Sequence, residues 1–106
     1  VDIHAERPLA KHTVYCSAKA GLAMLTKSLA LELGPEVRVN GVAPGIILWP
    51  EGGQDEAVQD EMLSRTALKR EGTVRDITDT VLFLVRDAPY VTGQIIAVDG
   101  GRTINQ

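Results

Sequence analysis

Cysteine occurs once, as Cys16, so no disulfide can close within the chain, and its place beside Tyr15 on a small-residue face makes it a packing residue. Aromatic residues are only 4% of the sequence and no basic stripe accompanies them. That argues against nucleic acid, which is held by clustered cations and stacking rings. Apolar runs stay well short of the roughly 20 residues a bilayer span needs, so no membrane segment is expected. Neither G-x-G-x-x-G nor G-x-x-x-x-G-K-[ST] occurs, so nothing obvious cradles a phosphate at a strand-to-helix turn. The chain opens at Val1 without an initiating methionine, and Asp2, Glu6 and Arg7 interrupt any signal-like apolar stretch. A fragment is expected, with the cytoplasm as its compartment. Internal repeats, low-complexity stretches and linkers are absent as well. What remains is 44% hydrophobic and 24% charged with a formal charge of −3, the composition of an ordinary globular protein and not a disordered one.

The strongest element present is a helix from Thr13 to Leu33. Val14, Ala18, Leu22, Leu25, Leu29 and Leu33 recur at three- and four-residue steps, and Gly34-Pro35 ends the run. The opposite face, with Ala20, Ala23, Met24 and Ala30, is hardly polar, so this helix is expected to pack on a sheet and also on a partner subunit. Val37 to Ala43 is β-branched and stopped by Pro44-Gly45, which predicts a strand feeding a loop. Residues 46 to 55 mix Trp49 with Pro50, Gly52 and Gly53 in the manner of a binding loop. A short helix is predicted over 55–65, with Val58, Met62 and Leu63 inward. A second follows over 74–85, with Thr73 as its cap and Ile77, Val81, Leu84 and Val85 on its apolar face. The final strand is Gln94 to Val98, broken at Asp99-Gly100-Gly101. Two strands make a poor sheet, and both read as buried on two faces, so further parallel strands are expected upstream.

Tyr15 and Lys19 lie four residues apart, and Asp2 stands thirteen residues before the tyrosine. Four residues is about one helical turn, so phenol and ammonium project from one face, where the cation lowers the cost of ionising the phenol. Such a pair can relay a proton. Taken alone, such a pair is more often two surface neighbours contributing a few tenths of a kcal/mol, about 0.3 in a typical helix pair, and it is the motifs that follow in the chain that favour the relay. Asp2 reads either as a catalytic carboxyl or as a turn cap. Asn40, between valines, is either a ligand contact or a tie between backbone segments, the second being favoured. His4 and His12 have no second ligand cluster and read as solvated loop residues, leaving no metal site. Asp99-Gly100-Gly101 reads as a tight reversal more than as a phosphate or metal turn.

Taken in order, Asp2 and Tyr15-x-x-x-Lys19, V-R-V-N-G-V-A-P-G from Val37 to Gly45, K-R-E-G-T from Lys69 to Thr73, and Y-V-T-G-Q-I-I-A-V-D-G-G from Tyr90 to Gly101 resemble the carboxy-terminal half of a short-chain dehydrogenase/reductase. The resemblance covers nearly the whole chain. It implies an α/β fold in which residues 1–106 are the catalytic and substrate-binding half of one Rossmann-like, doubly wound parallel sheet, without the amino-terminal nucleotide-binding strands. Where the family usually has serine, this sequence has Asp2. Together with P-G-I-I-L-W-P-E from Pro44 to Glu51, that replacement is similar to the pteridine reductase branch, whose substrates are pterins or dihydrofolate. Trp49 departs from the threonine that many members place near the cofactor pyrophosphate, and it reads either as a pocket wall or as a subunit contact.

The resemblance implies NADPH, or else NADH, as hydride donor. Asp2, Tyr15 and Lys19 would be catalytic. Tyr15, Lys19, Pro44, Gly45 and Ile47 would meet the cofactor, with Lys19 on the ribose hydroxyls and the backbone near Ile47 on the nicotinamide carboxamide. Asp2, Tyr15 and Trp49 would meet a small-molecule substrate. Dimers or tetramers of identical subunits are implied too, through the long helix and through the last helix and strand. Two alternatives stand beside the pterin reading: a general carbonyl or 3-oxoacyl reductase of the same family, and an inactive truncated fragment or oligomerisation module.

Overall fold

A computed structural model describes residues 13–45, 47 and 56–104, with side chains described from residue 17 onward. In chain order the elements are helix α1 (Thr13–Leu33), strand β1 (Gly41–Pro44), helix α2 (Glu56–Ser64), helix α3 (Val74–Leu82) continued by a π-helical turn over Phe83–Asp87, strand β2 (Ile95–Val98) and a 3₁₀ turn over Arg102–Ile104. β1 and β2 pair in parallel, with Gly41 opposite Ile95 and Pro44 opposite Val98. Both strands therefore end at the same edge. α3 packs against both of them. Among the described residues this gives the expected two strands and three helices, and no helix is long and apolar enough to cross a membrane.

α1 is carried by the stretch from Ala18 onward, in which Ala, Leu, Lys, Met and Glu, all good helix formers, predominate, and it stops where Gly34 N–H closes back on Ala30 O at 3.2 Å and Pro35 follows. Its packing tells the two apolar faces apart. Ala23, Thr26 and Ala30 are the buried residues, whereas Leu22, Met24, Leu25, Leu31 and Leu33 are exposed within this chain. Small side chains let the helix backbone approach closely: a Cβ added at Gly93, which sits at φ 72° just before β2, would stand only 3.4 Å from the Ala30 Cβ. Leu29 is half-buried, and the other leucines keep much of their surface exposed among the described residues.

β1 is shorter than predicted, beginning at Gly41, because Val39 and Asn40 spend their hydrogen bonds to the 91–94 segment on side chains as well as backbone. Val39 N–H donates to Thr92 Oγ1 at 3.0 Å, and Gly93 N–H donates to Val39 O at 2.7 Å. Asn40 is the tie expected of it. Its Nδ2 donates to Val91 O at 2.9 Å and its Oδ1 accepts from Gln94 N–H at 3.0 Å. In the 74–85 helix only Leu84 is buried. Val81 and Val85 are exposed, and the α-helix gives way at Leu82 to the π-helical turn. The guanidinium of Arg38 gathers that turn, its Nη1 donating to Leu84 O at 2.9 Å, Ala88 O at 3.0 Å and Val91 O at 3.1 Å, and its Nη2 to Val85 O at 3.2 Å. In α2, Met62 and Leu63 are half-buried as expected, but Val58 is exposed.

Candidate active site

Ligands of open parallel sheets collect at the carboxyl ends of the strands, and that edge carries the predicted residues Pro44, Gly45 and Ile47. A cavity of about 250 Å³ opens there, walled by Ile47, Leu68 and Val98 with Arg70, Asp76 and Asp99 among its polar groups. Tyr15 and Lys19 fall four residues apart on α1, as predicted, and Lys19 is half-buried. Asp2, Trp49, His4 and His12 lie outside the described residues. Among the described residues no cluster of His, Cys, Asp and Glu has the placement to hold a metal ion.

Gly45 is close to something, though the neighbour belongs to the chain itself. Its N–H donates to Val98 O at 3.0 Å, and a Cβ added there would lie 2.7 Å from the Asp99 Cα and 2.8 Å from its Cβ. Real side chains do not approach that closely, so the absence of a Cβ at Gly45 is what lets the ends of β1 and β2 meet. Asp99 in turn gathers donors from the turn that follows. Its Oδ1 accepts from Gly101 N–H at 3.0 Å, and its Oδ2 accepts from Thr103 N–H at 2.9 Å and from the Thr103 hydroxyl. This is the tight reversal predicted from D-G-G.

The polar wall has its own order. Thr73 caps α3: its Oγ1 accepts from Asp76 N–H at 3.1 Å while the Asp76 carboxylate accepts from Thr73 N–H at 2.7 Å. Arg70 donates to the same carboxylate at 3.1 Å. The Thr73 backbone donor, followed by Arg70, holds the Asp76 carboxyl below its ordinary range. At Asp99 burial pushes upward, but the donors from Thr103 and Gly101 together outweigh it and the carboxyl ends below its ordinary value.

A carboxyl whose pKa is lowered by folding binds its proton more weakly in the folded chain, so its contribution to stability is complete above the unfolded pKa and fades as pH falls through the folded one. Stability is therefore expected to drop as pH is lowered below about 4, the usual aspartate range, and Asp99→Asn is expected to flatten part of that slope. Thermal midpoints of wild type and Asp99→Asn between pH 2 and 6 on the order of half-unit steps check this, and parallel curves would exclude Asp99 as a contributor.

Three features of the structure were not read from the sequence. Arg38 acts at residues 46 to 53 positions away, the Gly45 contact joins two strand ends, and Thr66, only 2% exposed, is buried between α2 and the D-G-G turn. Each depends on long-range pairing. The one local clue was D-G-G itself, since paired glycines after a strand mark positive φ and close approach, here at φ 61° and 89°.

The family model described as Enoyl-(Acyl carrier protein) reductase matches residues 2–103. An L-xylulose reductase from Mus musculus is 43% identical over 102 residues, covering 92% of this chain and 42% of the relative. A dihydromonapterin reductase from Klebsiella pneumoniae is 40% identical over 103 residues, covering 97% of this chain and 42% of the relative. Among solved structures, 4-hydroxyisoleucine dehydrogenase complexed with NADH superposes with a TM-score of 0.90 at 28% identity, over 100% of this chain and 46% of that one. The chain thus spans about 42% of the length of the curated relatives it matches. With its parallel strands, its Tyr15 and Lys19 on one helical turn and a family match over almost its whole length, the chain belongs to the short-chain dehydrogenase/reductase family.

Proposed function

We propose that this chain is the catalytic half of an NADPH-dependent reductase acting on a pterin or dihydrofolate. The observation that carries the reading is the Tyr15 and Lys19 pair, one turn apart on α1, with Asp2 in the place where the family usually has serine. The donor set suits a nicotinamide nucleotide: an ammonium at Lys19 for ribose hydroxyls, a tyrosine one turn earlier on the same helix, and a strand end at Pro44 and Gly45 followed by Ile47 in the lining of a cavity. When bound, the nicotinamide supplies the hydride. The chain's part is then to place the ring, hold charge and move a proton. Lys19 keeps a positive charge near Tyr15, and Tyr15 passes its hydroxyl proton toward the reduced centre. A carboxyl at Asp2 can accept from an amino-substituted ring and, when protonated, donate to a ring nitrogen, which a serine cannot do with a charge.

Support for the pterin comes from the dihydromonapterin reductase at 40% identity. A second reading, a carbonyl reductase of the same family, is favoured by the L-xylulose reductase at 43%. The complete protein, assayed with NADPH or NADH against dihydropterin, dihydrofolate and L-xylulose, separates them. A kcat/KM for the pterin on the order of 100-fold above that for the sugar is the expected result. Faster reduction of the sugar would move the assignment to the carbonyl class. Titrating NADPH into residues 1–106 alone addresses the inactive-fragment alternative, which measurable binding would remove. Identical subunits associating through α1 are part of the proposal, given the exposure of Leu22, Met24, Leu25 and Leu31.

A further inference from the structure

The Asp99–Gly101 turn touches two parts of the cavity lining. On one side it lies under Gly45, whose missing Cβ leaves room for Asp99 and whose N–H is bonded to Val98 O, and Ile47 follows two residues later in the lining. On the other side a Cβ at Gly100 would stand 2.8 Å from the Thr66 Cγ2, and a Cβ at Gly101 would stand 2.5 Å from the Ala67 Cβ. Leu68 N–H donates to Gly100 O at 2.9 Å. Thr66 is itself tied to the last turn of α2, its N–H donating to Leu63 O at 3.0 Å and its Oγ1 to Met62 O at 3.3 Å. Thr66 and Leu68 line the same cavity as Ile47. The turn is held from within by three donors on the Asp99 carboxylate and by Arg102 N–H on Asp99 O at 3.1 Å.

We propose that the Asp99–Gly101 turn is a positioning element that fixes two parts of the cavity lining at once, Gly45 with Ile47 beyond it and Thr66 to Leu68 after α2, with Asp99 as the residue that holds it. Its bearing on cofactor binding rests on the reading of Gly45 and Ile47 as cofactor-facing, whereas its hold on the cavity lining rests on the contacts alone. Tight contacts on both sides of one short turn leave neither part free to move without it, because a close-packed interior transmits a local shift to its neighbours. Asp99 touches neither substrate nor cofactor in this scheme and acts only through the backbone it orders.

The test uses the complete protein with Asp99→Asn, Gly101→Ala and the milder Thr103→Ala, which removes one hydroxyl donor. Hydrogen exchange is read at three amides with known partners: Gly45 (to Val98 O) and Leu68 (to Gly100 O) beside the turn, and Gly41 (to Gln94 O, 2.8 Å) at the far end of the strands. In Asp99→Asn, exchange at Gly45 and Leu68 is expected to accelerate together by about tenfold while Gly41 changes by less than about twofold. Gly101→Ala should act first on Leu68, and Thr103→Ala should move Gly45 and Leu68 in the same direction by a smaller factor. Binding supplies the second readout, with the NADPH dissociation constant of Asp99→Asn rising about fivefold or more and kcat falling less than about twofold. Unchanged exchange at Gly45 and Leu68, or equal acceleration at Gly41, would overturn the proposal in favour of a merely structural turn. Turnover that survives Tyr15→Phe overturns the reductase reading instead, and the exchange result still decides the turn.

Discussion

Tyr15→Phe in the complete protein is expected to lower kcat by about 10² to 10⁴, the usual worth of a positioned acid or base, while NADPH affinity stays within about twofold. The two numbers separate because phenylalanine keeps the ring and its packing and removes only the hydroxyl. Proton delivery is needed as the substrate is reduced and not when the cofactor binds, so loss of the hydroxyl belongs to kcat. Lys19→Met is expected to behave differently, weakening NADPH binding and turnover together, since the ammonium is assigned to both the ribose and the phenol. Lys19 is half-buried on α1 one turn beyond Tyr15, so the charge it carries is only partly screened by solvent. Pre-steady-state reduction at saturating NADPH measures the step directly. A Tyr15→Phe enzyme with unchanged single-turnover rate would exclude the phenol as donor and with it the proton relay.

Much of the scaffold around that relay could be read locally. Thr73 and Asp76 stand three apart before an apolar run, and the reciprocal bonds between them are what that spacing asks for. β2 and the turn after it follow from I-I-A-V and D-G-G. Asn40, between two small or branched residues of an extended segment, ties the 91–94 chain as its amide chemistry suggests. Face assignment on α1 was a different matter. The leucine stripe has the correct period but is exposed apart from the half-buried Leu29, and the buried stripe is the small one, Ala23, Thr26 and Ala30. Periodicity reports that a face is apolar, not which of two apolar faces is covered by the rest of the chain. What decides is how near the backbones must come, and that depends on Gly93, 63 residues beyond Ala30 in the chain. Of the candidate site, the Tyr15 and Lys19 spacing and the strand-end position of Pro44, Gly45 and Ile47 could be read from sequence. The company of Gly45 could not, because it is set by pairing with β2.

Arg38→Met is expected to destabilise the fold by about 3 kcal/mol, the upper range for hydrogen bonds made by a charged donor, and Arg38→Lys by roughly half of that. The guanidinium serves four carbonyls at once, those of Leu84, Val85, Ala88 and Val91. Two of them belong to residues that are buried, Leu84 at 5% and Ala88 at 6% exposure, so water is a poor substitute for the lost donor. Helix ends leave their last carbonyls without intrahelical partners, and here the usual remedy of a following N–H is cut short by Pro89. A positive charge also opposes the negative end of the α3 dipole. Methionine keeps the length and apolar stem of the side chain, so what it removes is the donors. Lysine restores the charge and up to three donors from a single point, but a point cannot span carbonyls that a planar fork reaches from two nitrogens. Denaturant unfolding of the three proteins should show midpoints falling in the order Arg38, Arg38→Lys, Arg38→Met with a common slope. Equal midpoints for the lysine and methionine variants would mean that fork geometry alone matters. A methionine variant as stable as wild type would show that the π-helical turn at Phe83–Asp87 stands without the clamp. The expected order makes Arg38, on the irregular segment ahead of β1, the residue that joins the amino end of the first strand to the end of α3, opposite the strand ends where Gly45 and Asp99 meet.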